Sequence, residues 1–231
     1  MNRRSLLAAV TLGLTLCASP ALAKDKQVLN VGPAKSTLAV IDMNPAHDPD
    51  NVLHLDLSNG GRVSIRLMPT WAPAHVERIK TLVRQGFYNG IIFHRVIDGF
   101  MAQTGDPTGT GQGGSPLPDL KAEFNAMPHL RGSVSMARTD LPDTANSQFF
   151  IVFYPRFALD RKYTNFGRVI AGIEYADAIE RGEPPSNPTR ILQASLASEK
   201  KPQMLPAAPM SAPGVPVPAP SVPAPPIPAA P

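Results

Sequence analysis

In residues 93–106 a single arginine, Arg95, stands among side chains suited to an apolar surface with hydrogen-bonding edges: Phe100, Met101 and Gln103. A guanidinium offers five N–H donors, holds its charge at physiological pH, and can polarise a nitrogen or a carbonyl without transferring a proton. Alternation along an extended chain assigns Phe93, Arg95 and Ile97 to one face and His94 and Val96 to the other. Gly99 breaks the run. If the chain turns back there, a second strand over 100–104 lies alongside and brings Met101 or Gln103 beside Arg95. The product is a cationic fork next to an apolar patch.

The run Phe93-His94-Arg95, then Gly99-Phe100-Met101-Ala102-Gln103, then Gly105-Asp106, resembles the central signature of the cyclophilins, barrel-shaped peptidyl-prolyl cis/trans isomerases. Ser135-Met136-Ala137 with Asn146-Ser147-Gln148-Phe149-Phe150-Ile151 resembles a second block of that family. Leu159-Asp160 and Phe166-Gly167-Arg168-Val169 resemble its later elements, and all the blocks stand in family order. The likeness spans residues 51–198, the size of one domain. It implies a mainly β fold, a closed eight-stranded antiparallel barrel capped by two helices, with the active surface on the outer wall. It also implies rotation of X-Pro bonds in proline-containing polypeptides, with no metal, nucleotide or organic cofactor.

Carried over residue by residue, the resemblance makes Arg95 catalytic. It makes Phe100, Met101, Phe150 and Leu159 the proline pocket, and Gln103, Ala137 and Gln148 the lining of an adjoining groove, with Arg138 and Tyr163 beside them. Departures from the pattern are visible. Arg138 stands where the family commonly has Asn, Tyr163 where it has His, Ala158 where it has Trp, and Thr104 replaces a Gly. The Trp supports cyclosporin binding, so Ala158 argues against it, and Arg138 would favour acidic peptides.

The residues alone leave other readings open. An arginine on a strand can serve an ordinary ion pair, and Phe or Met on a strand can be plain core, as expected for Phe93, Phe149 and Phe153. A catalytically idle proline-peptide-binding module would keep the pocket but need no intact Arg95. A ligand-carrying barrel of the lipocalin kind would lack the constellation altogether. Residues 109–114 fit the bare G-x-G-x-x-G pattern, yet Pro107 precedes and Pro116 and Pro118 follow, where phosphate cradling requires a strand before and a helix after. A long mobile loop is expected there instead. His47, Asp48 and Asp50 read as a solvated polar loop, since the remaining histidines, 54, 75, 94 and 129, recur at no ligand spacing.

The elements that position these residues follow from pattern. Residues 52–57 and 62–67 alternate as two strands joined by a hairpin at Asn59-Gly60-Gly61. Thr70 or a neighbour caps a helix with Pro73 in its first turn and Val76, Ile79, Leu82 and Val83 on one stripe, ended by Gly86. Strands are expected over 133–136, 148–153, 166–170 and 189–197, and a short helix over 174–180.

The ends are of a different kind. Arg3-Arg4, an apolar run over 6–16 and Ala21-Leu22-Ala23 compose a secretory signal peptide over 1–23, with a twin-arginine character in Arg3-Arg4. Its removal takes away the single cysteine, Cys17, and two of the positive charges, lowering the formal net charge from +4 to about +2. That balance gives no basic stripe for nucleic acid, and no membrane anchor would remain after cleavage. Residues 24–50 read as a loose lead-in, and 199–231 as a Pro/Ala-rich disordered tail. The expectation is an exported monomer, periplasmic or secreted, that assists the folding of other exported proteins.

Overall fold

The structure, a computed structural model, describes residues 41–207. The expected signal peptide with Cys17, the lead-in up to residue 40 and the tail from 208 onward lie outside these residues. Among these residues eight strands and two α-helices follow in the order β1 (Val52–Leu57), β2 (Arg62–Leu67), α1 (Pro73–Arg84), β3 (Arg95–Ile97), β4 (Met101–Thr104), β5 (Ser133–Met136), β6 (Phe149–Val152), β7 (Asn165–Ala171), α2 (Ile173–Asp177) and β8 (Ile191–Leu196). The β1–β2 hairpin turns at Gly60, whose φ of 89° an L side chain rarely adopts.

All the strands belong to one antiparallel sheet, ordered β3-β4-β6-β5-β7-β2-β1-β8, which curls into a half-barrel. The concave face holds the main core: Leu53, Leu55, Val63, Ile65, Val134, Phe149, Ile151 and Phe166, with Val76, Ile79, Leu82 and Val83 of α1 packed onto it. The helical stripe is therefore core packing. Alternation then forces Phe150 and Val152 of β6 onto the other face, where they join Met101 in a second, separate apolar cluster. That outward phase creates the surface on which the site is built.

Three expectations about framework need correction. The barrel is not fully closed: among the described residues no ladder joins β3 to β8, and isolated bonds such as Phe93 N–H to Thr189 O (2.9 Å) and Gly90 N–H to Ile191 O (2.7 Å) span the seam. Pro184, Pro185 and Pro188 deny the intervening segment its donors. Thr70 does not cap α1. Ala72 is the cap residue, and the Glu123 carboxylate accepts from the Ala74 and His75 N–H groups, both at 3.1 Å. Helix α2 stops at Asp177, one turn short of the expected end.

The ends of the domain differ more. Residues 42–48 are wrapped around the buried Arg66 guanidinium, which donates to the carbonyls of Asp42, Asn44, His47 and Asp48 at 2.6–3.1 Å. This part of the lead-in is fixed to β2 because a buried guanidinium without acceptors would be costly. The start of the tail is held as well. Asp56, fully buried on β1, accepts the Met204 N–H at 2.7 Å while paired with Arg62, and Gln193 donates to the Pro202 carbonyl at 2.9 Å. Gln193 of β8 also donates to Asp56 at 3.1 Å, so this one buried carboxylate joins β1, β2 and β8 and holds Met204 directly.

Candidate active site

The β3–β4 hairpin turns at Gly99, with φ of 64°, and sets Arg95 opposite Gln103 and Ile97 opposite Met101. Val96 points into the core, so Arg95 lies on the outer face with its side chain 42% exposed. Phe93 does not share that face. The chain leaves strand geometry at residues 93 and 94, and the Phe93 ring is fully buried in the main core. His94 is buried too, with neither ring nitrogen bonded among the described residues, and burial lowers its pKa. It is a buried packing group rather than part of the site.

Arg95, Phe100, Met101, Gln103, Ala137, Arg138, Phe150, Leu159 and Tyr163 line one cavity of about 260 Å³. Nine of the ten residues singled out from sequence therefore converge. Phe150 and Tyr163 meet edge to face, with ring centroids 5.6 Å apart, and the Arg156 guanidinium lies 4.8 Å from the Phe100 ring. The geometry offers a shallow apolar seat for a ring, with guanidinium donors at its edge.

Gln148, the tenth residue, lies next door. It faces an adjoining cavity of about 530 Å³ lined also by Gln103, Ala137 and residues 111–115. Gln103 Nε2 donates to Gln148 Oε1 at 2.8 Å, while Gln148 Nε2 donates to the carbonyls of Gly111 (3.0 Å) and Gly113 (2.7 Å). One relay thereby locks the amide beside Arg95 to the glycine-rich loop.

That loop is organised rather than mobile. The buried Asp106 carboxylate accepts the N–H groups of Thr108 (2.7 Å), Thr110 (3.1 Å), Gly111 (2.6 Å) and Gly113 (3.1 Å), and the Thr108 hydroxyl as well. Burial pushes the Asp106 carboxyl up, but the hydrogen bonds from Thr108, Gly113 and Gly111 outweigh it and hold it at about 2. The loop does form an anion cradle, and its occupant is the chain's own carboxylate. A phosphate would find the donors taken.

Arg138 is also committed. Its Nε and Nη2 donate to the Lys162 carbonyl at 3.0 and 2.9 Å, its Nη1 to Thr139 O (2.7 Å) and Asp140 O (3.1 Å), and its plane lies 4.7 Å from the Tyr163 ring. With four N–H bonds engaged, it acts as a clamp across the groove wall, and the expected bias toward acidic peptides loses its main support. Beneath Leu159, His129 Nδ1 lies 2.8 Å from Asp160 Oδ1 and His129 Nε2 lies 2.9 Å from Ser135 Oγ. Ser, His and Asp in that order suggest nucleophilic catalysis. Ser135 and His129 are both fully buried, so no substrate reaches them, and the relay instead pins the 157–160 turn to β5.

One partner of the site was not read from sequence. Arg95 Nε donates to Glu183 Oε2 at 2.6 Å, across 88 positions of chain. The nearest sequence signal was Gly182-Glu183-Pro184-Pro185, which reads only as a helix stop.

A family model described as cyclophilin type peptidyl-prolyl cis-trans isomerase/CLD matches residues 52–196, well over half of the chain. The chain belongs to that family, whose members are isomerases of X-Pro peptide bonds. It is 42% identical over 181 residues to a probable peptidyl-prolyl cis-trans isomerase of Brucella suis, covering 71% of this chain and 92% of the relative. Peptidyl-prolyl cis-trans isomerase B of Bacillus subtilis is 42% identical over 129 residues, 55% of this chain and 89% of that one. Among solved structures, the cyclophilin AquaCyp293 from Hirschia baltica superposes with a TM-score of 0.62 at 32% identity, over 67% of this chain and 77% of its own. A Cryptosporidium parvum cyclophilin type isomerase, crystallised in the presence of the dipeptide Ala-Pro, gives 0.59 at 29% identity, over 63% and 98%.

Proposed function

We propose that this isomerase acts on proline-containing segments of exported proteins outside the cytoplasm, with Arg95 as its catalytic group. The observation that carries the catalytic reading is the 260 Å³ cavity, where a guanidinium and five apolar side chains, Phe100, Met101, Phe150, Leu159 and Tyr163, share one small seat. An X-Pro bond resists rotation by ~18–20 kcal/mol because the nitrogen lone pair is delocalised into the carbonyl. Free peptides cross that barrier in roughly tens to hundreds of seconds. With the proline ring on Phe100, Met101, Phe150 and Leu159, the Arg95 donors face the peptide nitrogen and its neighbouring carbonyl. Donation to the nitrogen as it pyramidalises localises the lone pair and lowers the barrier, and each ~1.4 kcal/mol is tenfold in rate. The Gln103–Gln148 pair presents amide edges to the adjoining peptide backbone. A Cryptosporidium relative crystallised with Ala-Pro supports proline-containing substrates.

Export rests on the n-region, apolar run and Ala21-Leu22-Ala23 site of residues 1–23. The test is to express the full chain in a Gram-negative host and to sequence the N-terminus of the protein released by osmotic shock. A mature chain beginning at Lys24 is expected. Full-length protein retained in the cytoplasm contradicts export and leaves the isomerase assignment standing.

A further inference from the structure

We infer that Glu183 is a positioning residue for the isomerase reaction, holding the Arg95 guanidinium so that its two terminal amino groups face the proline seat. The inference rests on the reading of Arg95 as the catalytic group.

The contact is set by backbone, not by the wandering of two long side chains. Val96 N–H donates to Gly182 O at 2.8 Å and Gly182 N–H to Val96 O at 2.9 Å, a reciprocal antiparallel bridge outside the named strands. With Gly182 opposite Val96, Glu183 falls opposite Arg95, and directly opposed residues stand side by side on one face. The flank is fixed as well: Arg181 donates to Asp98 Oδ1 at 3.3 Å and to the carbonyls of Asp177 (2.7 Å) and Ile179 (2.5 Å). Three successive residues, 181 to 183, thus clasp the β3 strand and its turn. Gly182 has φ of 143°, and a Cβ there would meet Pro185 Cα at 2.6 Å, so this tight approach admits glycine alone.

The bond chosen by Glu183 is informative. It engages Nε, the one guanidinium nitrogen attached to the stem, and among the described residues the Nη1 and Nη2 groups have no hydrogen-bond partner. A carboxylate on Nη would compete with the peptide for the working donors, whereas one on Nε fixes the plane and leaves the fork free. Arg95 is 42% exposed and Glu183 50%, so the pair does little to hold the fold together. Its consequence is orientation: a guanidinium otherwise free to swing away must be reordered in each turnover.

The test measures kcat and KM for a short X-Pro peptide with wild type, Glu183→Ala, Glu183→Gln and Arg95→Ala, together with the Arg95 Nε–H resonance. Glu183→Ala is expected to lower kcat about tenfold with KM within twofold, because aim matters in the transition state more than in binding. Glu183→Gln, whose amide oxygen still accepts from Nε, is expected to restore activity to within about threefold of wild type. The Nε–H signal should be protected from exchange in wild type and Glu183→Gln, and lost to exchange in Glu183→Ala. Glu183→Ala with wild-type kcat, equal loss in Gln and Ala variants, or a loss that tracks melting temperature would each overturn the inference. An active Arg95→Ala would overturn the catalytic reading itself, and an inactive Arg95→Ala beside a fully active Glu183→Ala would overturn this inference alone.

Discussion

Replacing Arg95 with Ala is expected to lower kcat/KM on a short X-Pro peptide by about 10²–10³-fold, the loss typical of one preorganised donor set aimed at a transition state. The loss should fall on kcat, since the donors act on a nitrogen that is an acceptor only once it has pyramidalised. Folding should be spared. The side chain is 42% exposed and removing it opens no core volume, so the melting temperature should stay within about 2 °C of wild type. Activity within twofold of wild type would end the assignment of Arg95, whatever the family.

The second large effect belongs to Asp106. Its carboxylate is the common acceptor for four backbone N–H groups of the loop that supplies one wall of the groove, and the residue is 1% exposed. Asp106→Ala strands these donors, and even with water reaching some of them the expected loss is about 3 kcal/mol or more. For a domain of this size that is a fall of roughly 6–12 °C in melting temperature. Gln148 loses its fixed partners Gly111 and Gly113 at the same time, so groove binding should weaken. The pH dependence has a definite sign. The Asp106 carboxyl titrates near 3.8 when unfolded and at about 2 when folded, so its stabilising contribution is complete above about pH 4 and is lost as pH falls toward 2. Asp106→Ala should flatten the wild-type stability curve across that window. Coincident melting curves for variant and wild type would show that the loop holds itself together without the carboxylate.

How much of this was visible in the sequence depends on the range of the contact. Arg95 opposite Gln103 and Phe150 turned outward follow from strand alternation and one glycine turn, which act over a few residues. The pocket was legible for that reason. Strict alternation would set Phe93 beside Arg95, but the strand begins only at Arg95 and the ring drops into the core, as expected of Phe93 as a plain core residue. Alternation also gives no sign that Arg66 on β2 lies buried under the carbonyls of residues 42–48. Hydropathy cannot register a polar group whose partners are backbone atoms elsewhere in the chain. Glu123 under α1, Asp56 beneath residue 204 and Glu183 beside Arg95 are failures of the same kind, each fixed by tertiary approach. Asp106 was within reach: Asp106-Pro107-Thr108 before a run of Gly and Thr is the pattern by which an Asp captures N–H groups two and more residues on. The phosphate-loop likeness of residues 109–114 and the true role of Asp106 have one physical basis, a chain bent so that its N–H groups converge on an anion.

The central claim is that this surface accelerates X-Pro rotation by guanidinium donation with no proton transferred. The direct measurement is the cis-to-trans rate of a short X-Pro peptide with the purified chain beginning at Lys24, from pH 6.5 to 8.5. The account predicts acceleration far above the spontaneous rate and a profile that is nearly flat, because a guanidinium does not change charge in that range. A rate equal to the spontaneous one, or a bell-shaped profile that marks a titrating acid and base, would contradict it.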